Sequence, residues 1–270
     1  MIEGIVVPLD AVSENRLAID TAVQLAASVK APLHGVFVED EELLHLAGLP
    51  FARQVTLGGG VQPFTTEDAE LHLRAEAERA RRELLATAKR RRVTCSFEIR
   101  RGTPSTVVSR VSEHDLVVAG ALTRPVVRYF RVEQRWWSSI DATPGPFLLA
   151  RNAWSAPGSV VILLRDRGAT SLRIFEAAAQ VAVARDCALT IICSPATASA
   201  EGFEKWVADQ VRQYPIRVEV EVATIEPTDL SERLSELDCQ LLAFEAGVAG
   251  GSDRLRKMVD GFACDILIGR

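Results

Sequence analysis

"GSVVILLRDRGATSLRIFEAAAQVAVARDCALTIICS", residues 158–194, is an apolar run, a small polar turn, an amphipathic stretch and a second apolar run. The outer runs are short and rich in β-branched residues, as buried strands are. The stretch between them repeats its apolar residues at helical spacing. Strand, helix and strand in so short a span form a right-handed crossover with the two strands parallel. Residues 4–40, "GIVVPLDAVSENRLAIDTAVQLAASVKAPLHGVFVED", follow the same order. Leu17 and Ile19 of the first stretch fall on Leu172 and Ile174 of the second at one constant offset. Ser13 is placed to cap the first helix, and Pro32 blocks its continuation.

The repetition reaches further out. "PGPFLLAR" closes one half at Arg151 and "ACDILIGR" closes the other at Arg270, while "EHDLVVAG" near residue 115 answers "ELDCQLLAF" near residue 238. The chain reads as a duplicated domain, residues 1–151 and 158–270, joined by the turn-forming "NAWSAPGS" of residues 152–159. The middle of the first half opens with Thr65 or Thr66 capping a long helix whose apolar face is Leu73, Ala77, Ala80 and Leu84. Acidic residues crowd its start and Lys89 to Arg92 its end, as the helix dipole favours. "VTCSFEIRRG" follows as a strand, and Thr103-Pro104 begins another helix. In the second half a helix near residues 200–213, the strand "IRVEVEVATI" and a helix from Thr228 to Leu237 repeat this in shorter form. The expected architecture is α/β: two doubly wound, mostly parallel five-stranded sheets with helices on both faces. Each last strand would be an unpaired apolar edge, which gives the two halves a motive to pair there.

This order, with "VVPLD" at the first strand and "DLVVAG" at the fourth, resembles the universal stress protein superfamily over nearly all of the chain. The resemblance implies a Rossmann-like fold of the adenine nucleotide alpha hydrolase type, in a tandem form. It also implies an internal pseudo-dimer through the last strands, around Phe147 to Ala150 and Ile266 to Gly269. The ATP-binding branch of that family carries G-x2-G-x9-G-[S/T] after the fourth strand and an acidic residue at the end of the first. Glycines are needed because backbone N–H groups wrap a phosphate only where no Cβ intervenes, and the final Gly-Ser opens a helix whose positive end faces the anion.

Against that pattern, Asp10 stands at the acid position of the first half and Gly120 at the first glycine. Thr123 replaces the second glycine, and Glu133-Gln134 stand where Gly-Ser belongs. A carboxylate about 4 Å from a phosphate oxygen costs on the order of 4 kcal/mol near a protein surface. That is about three decades of affinity, so the usual site of the first half is expected not to take ATP. In the second half Arg165 holds the acid position, followed by Asp166. Gly247, Gly250, Gly251 and Ser252 supply the glycines and the helix start without the nine-residue spacer. This loop reads either as a tight connection or as a cradle for ATP or another anion.

Two further features carry weight. Arg124, Arg128, Arg131 and Arg135 recur at helical spacing among Tyr129, Phe130, Trp136 and Trp137. They make either an amphipathic lid or a patch for an acidic partner, a nucleotide or a phosphate backbone. The first half also holds an insertion at about residues 40–64, with a short helix Glu41 to Ala47, then Leu49 and Phe51, then Gly58 to Gly60. It reads as a flap over the pocket mouth or as a docking element for another protein.

Composition narrows the rest. The chain is 48% apolar and 25% charged with a net charge of −5, which gives no global attraction to nucleic acid or anionic membrane. No leader and no membrane-length apolar segment is seen, so a cytoplasmic location is expected. The five cysteines form no C-x-x-C pair and read as small buried hydrophobes, and the four histidines have no ligand spacing, so no metal site is expected. No G-x-S-x-G elbow appears, and no catalytic residue is assigned. The expectation is a non-enzymatic binding or regulatory protein of a stress response that takes a protein partner and is compatible with homo-oligomers. The alternative is a nucleotide- or anion-binding protein, or slow ATPase, that uses the remodelled loop of the second half.

Overall fold

The computed structural model describes residues 2–11, 15–55, 59–120, 138–154, 158–223, 227–249 and 252–270. The first repeat contains strands β1 (Gly4–Leu9), β2 (Leu33–Asp40), β5 (Cys95–Gly102), β6 (Asp115–Gly120) and β7 (Phe147–Ala150). Helices α1 (Asn15–Val29), α2 (Glu41–Ala47), α3 (Thr66–Arg91) and α4 (Pro104–Val108) connect them, and the insertion adds β3 (Arg53–Val55) and β4 (Val61–Pro63). The second repeat contains β8 (Ser159–Leu164), β9 (Leu189–Cys193), β10 (Val218–Val222), β11 (Cys239–Glu245) and β12 (Asp265–Gly269). Its helices are α5 (Ala169–Arg185), α6 (Pro195–Ala198), α7 (Phe203–Val211), α8 (Pro227–Glu236) and α9 (Ser252–Gly261).

All the strands except the β3–β4 hairpin join one ten-stranded sheet, in the order β10-β9-β8-β11-β12-β7-β6-β1-β2-β5. Read inward from each edge of the sheet, each repeat has the doubly wound order of its own strands, third-second-first-fourth-fifth. Every pairing within a repeat's five strands is parallel. Among the described residues the single antiparallel pairing in this sheet is β7 with β12, Leu148 opposite Leu267, where the two last strands meet. The apolar edges that each repeat would otherwise expose cover one another.

Period-two alternation sends side chains to both faces, and both faces are covered. Ile5, Val7 and Leu9 pack with Leu25, Leu84, Ile162 and Phe175 in one core. Val6, Val36, Val117, Val161 and Ile266 belong to the other. Each core draws on both repeats. Helix α3 lies close on β2, where a Cβ added at Gly35 would come within 2.2 Å of Leu84 Cδ2. The glycine is there because the helix has no room for more.

Most of the expected caps are present. Thr65 caps α3 in a reciprocal box with Asp68, and Thr103 caps α4 with Pro104 in its first turn. Asp40 caps α2, its carboxylate accepting from the amide of Glu42 at 2.9 Å. Thr228 is a correction: α8 begins at Pro227, so Thr228 lies inside the first turn. Ser13 falls outside the described residues.

The two closing arginines cross over to the opposite repeat. Arg151, just past β7, donates from Nη1 to the carbonyl of Val259 at 2.7 Å and to that of Phe262, at the end of α9. Arg270, just past β12, donates to the carbonyl of Asp141 at 2.6 Å and to its carboxylate, in the helical residues 138–142. Because β7 and β12 run antiparallel, each strand delivers its terminal cation to the last helix of the other repeat, at the end where the helix dipole is negative.

Candidate functional site

In a doubly wound sheet the ligand crevice opens beyond the carboxyl ends of the first and fourth strands, where the connections diverge. Two such positions exist here, at β1/β6 and at β8/β11. At the first, Asp10 follows β1 and is half-buried, and its carbonyl accepts from Asn15 Nδ2 at 2.9 Å. Gly120, buried, ends β6. The fold therefore brings Asp10 and Gly120 to the two strand ends that flank one crevice. Thr123, the arginines 124, 128, 131 and 135, and the Glu133-Gln134 pair lie outside the described residues.

The second crevice is built from different side chains. Arg165 follows β8 and is exposed, its carbonyl accepting from Thr197 Oγ1 at 2.7 Å. Its guanidinium donates to the carbonyl of Gly247 at 3.3 Å, so it reaches from the first strand to the 3-10 turn Ala246–Ala249 beyond the fourth. Asp166 turns back, and its Oδ1 accepts from the amide of Gly168 at 2.7 Å and from Ser171 Oγ at 2.9 Å. The Gly168 amide foremost, then the Ser171 hydroxyl and the nearby Arg165, hold the Asp166 carboxyl below its ordinary value. Ser171 is fully buried and also hydrogen-bonds Glu245 Oε1 at the end of β11. One buried hydroxyl, with a single proton to donate, thus stands between two carboxylates where the second crevice opens.

Of the second-repeat residues singled out in the sequence, Gly247 is exposed beneath the Arg165 guanidinium, where an added Cβ would sit 3.3 Å from Nη1. Ser252 is the first residue of α9. Gly250 and Gly251 lie outside the described residues. Sequence reasoning missed Ser171 and Glu245 as partners. The short turn "RDRGATS" was a usable signal, since an aspartate two residues before a glycine at a helix start commonly caps it.

The insertion divides its apolar residues. Leu44 and Ala47 of α2 are buried against the core, and Leu43 is half-buried. Leu49 and Phe51 turn outward, Phe51 with 73% of its surface exposed. The β3–β4 hairpin that follows was not anticipated. Among the described residues no cluster of His, Cys, Asp and Glu is arranged to hold a metal ion, and no helix is long and apolar enough to cross a membrane. His34 does have an acidic neighbour, which sequence spacing hid: its Nε2 lies 3.1 Å from Glu98 Oε1 across the β2–β5 pair.

No protein-family model and no curated protein matches the chain. Solved structures do. A universal stress protein from Archaeoglobus fulgidus DSM 4304 superposes with a TM-score of 0.67, at 12% identity, over 97% of this chain and 95% of that one. The fold is that of the universal stress proteins. A protein of Pseudomonas aeruginosa UCBPP-PA14 assigned to the universal stress proteins superposes with a TM-score of 0.60, at 15% identity, over 99% of this chain and 92% of that one. A functionally unknown protein of Pseudomonas aeruginosa PAO1 gives 0.61 at 14% identity, over 99% and 92%. At such identities the likeness is one of fold. Ten strands in one sheet, and the side chains at its crevices, must supply the rest.

Proposed function

We propose that this chain is a universal-stress-protein-like binding or regulatory protein, without catalytic activity, that does not hold ATP in the usual manner of the first repeat. The observation that carries the reading is the replacement of the phosphate cradle by bulk and negative charge: Thr123 at the second glycine and Glu133-Gln134 at Gly-Ser, beyond a strand that still ends in Gly120. Residues 1–151 and 158–270 act as two repeats of one module, with the insertion near residues 40–64 as the first repeat's own addition. A protein partner is favoured by the apolar surface around that insertion, where Leu49, Phe51, Val61 and Leu71 are 42%, 73%, 65% and 68% exposed. The fold likeness supports placing the chain in a cytoplasmic stress role.

One observation favours a second reading. Arg165 is an exposed cation that donates to the carbonyl of Gly247, in the turn that precedes α9 in the chain, and a small anion could join that guanidinium to the first amides of the helix. Asp166 and Glu245 oppose this by placing two carboxylates at the same crevice.

Thermal unfolding with ATP, ADP and inorganic phosphate separates the two. A ligand present at one hundred times its dissociation constant adds about 2.7 kcal/mol of stability. No shift at millimolar nucleotide is the expected result. A shift lost in both Arg165→Ala and Ser252→Ala would transfer the function to the second crevice. A shift lost instead in Asp10→Ala would overturn the reading of the first.

A further inference from the structure

Cys239 opens β11, and Cys264 stands immediately before β12. These strands are parallel neighbours, with Leu241 opposite Asp265, so the register puts Cys264 level with Gln240 and next to Cys239. The pairing of β11 with its other neighbour, β8, is irregular between Cys239 and Leu241, and this breaks the alternation so that Cys239 packs on the face of Cys264 and not on that of Leu241. Both side chains pack into the same core, Cys264 within it and Cys239 against it, so the two thiols share one side of the sheet. Cys264 is 7% exposed and Cys239 half-buried. Set one residue off level on strands about 4.8 Å apart, with a rise of about 3.3 Å per residue, their Cα atoms fall roughly 6 Å from one another, inside the roughly 4.4 to 6.8 Å that a disulfide spans.

The surroundings differentiate the two sulfurs. The neighbouring Cys239 thiol lowers that of Cys264 below its ordinary value against the opposing effect of burial, and the Arg151 guanidinium adds to the lowering while Asp265 opposes it. The same pairing raises Cys239, with burial acting in the same direction. Cys264 is therefore the sulfur with thiolate character and Cys239 the one that keeps its proton. The remaining thiols lack this asymmetry: burial pushes Cys95 up to about 11 and raises Cys187 and Cys193.

We propose that Cys239 and Cys264 form a redox couple that a peroxide oxidises to an intramolecular disulfide between β11 and β12. The Cys264 thiolate attacks one peroxide oxygen, the O–O bond breaks, and hydroxide leaves from a sulfenic acid on Cys264. The Cys239 sulfur then attacks that sulfenic sulfur; its thiol proton joins the departing hydroxyl as water, and the S–S bond forms. One thiolate, one thiol and one hydrogen peroxide become one disulfide, one water and one hydroxide; the two sulfurs lose two electrons together and the peroxide oxygens gain them. The closed loop holds the 3-10 turn Ala246–Ala249 and all of α9, the connection that flanks the second crevice. The couple also lies beside Arg151, which caps α9 from the other repeat. Its oxidation would be recorded at the junction of the two halves.

The test uses the full chain, reduced, then treated with hydrogen peroxide and alkylated with a maleimide under denaturing conditions. Maleimide uptake should fall from five thiols to three and return to five after dithiothreitol. Digestion with trypsin without reduction should yield peptide 234–254 joined to peptide 258–270, because Arg254, Arg256 and Lys257 are cut between them. This mapping is done on the unmodified chain and needs no folded variant; Cys239→Ala should abolish the joined peptide and leave Cys264 as sulfenic or sulfinic acid. Five alkylatable thiols after peroxide, over-oxidation of Cys264 in the unmodified chain without a joined peptide, or a disulfide to Cys95, Cys187, Cys193 or a second chain would each overturn the proposal.

Discussion

The two repeats share a strand order and differ in how they are held at the seam. On one side, Arg151 reaches α9 while Asp265 gathers three groups: the amides of Arg151 and Asn152, at 2.7 and 2.9 Å, and the guanidinium of Arg185. Arg185 is itself buried, and its guanidinium carbon lies 4.8 Å from the Trp154 ring centroid. On the other side, Arg270 and Asp141 form their pair in the open, with 38% and 43% of their side chains exposed. Arg173 supports it by donating to the Arg270 carbonyl at 3.0 Å and to Glu113 at 2.6 Å. One topological operation thus produces a desolvated hub and a solvated clasp. The lesson is that internal symmetry fixes where a contact is made, while local burial decides what it is worth.

The sharpest way to break this comparison is Asp265→Asn. It leaves Arg185 as a buried charge without its counter-ion, and removing one member of such a pair costs about 3 to 5 kcal/mol. Chemical denaturation of the variant should show that loss; a change below about 1 kcal/mol would mean water reaches the hub. Leu84→Ala asks whether the long helix of the first repeat is packed more deeply than its short counterpart α7. Leu84 is fully buried, so its truncation should cost about 2 to 5 kcal/mol, with Val207→Ala costing less because fewer methyl groups are removed. Equal losses in denaturation midpoint would erase the distinction. Asp141→Asn, the counterpart of Asp265→Asn at the exposed clasp, should cost under about 1 kcal/mol and less still at high salt.

The smallest effect concerns the crevices. The Asp166 carboxyl is held below its unfolded value, so its stabilising contribution is complete above about pH 4 and is lost as pH falls through the folded value. The difference in stability between the parent chain and Asp166→Asn should therefore shrink on acidification. A difference that stays level from pH 6 down to pH 2 would show that the carboxylate gains nothing from the Gly168 amide and Ser171.

Much of the architecture was legible from residue order alone. The strand-helix-strand units, the helix Glu41–Ala47 and the caps at Thr65 and Thr103 follow from local periodicity and local hydrogen bonding. The pairing of the last strands followed from an apolar edge that needed cover. The hairpin Arg53–Pro63 was not legible, because its strands of three residues are too short to show alternation. The site was only half legible. Asp10 and Gly120 could be assigned to strand ends by position, and Arg165 could be aligned with Asp10, but the convergence of Asp166, Ser171 and Glu245 joins residues far apart in the chain.

Taken alone, the sequence determined the repeated strand-helix order and the parallel layered fold, because these depend on periodicity along the chain. The tertiary structure alone decided that Arg151 and Arg270 exchange helices, that Ser171 stands between two carboxylates, and that Cys239 meets Cys264. Those facts depend on strand register and on the sense in which β7 meets β12. Register and direction are settled by packing across the sheet, not by any neighbour along the chain.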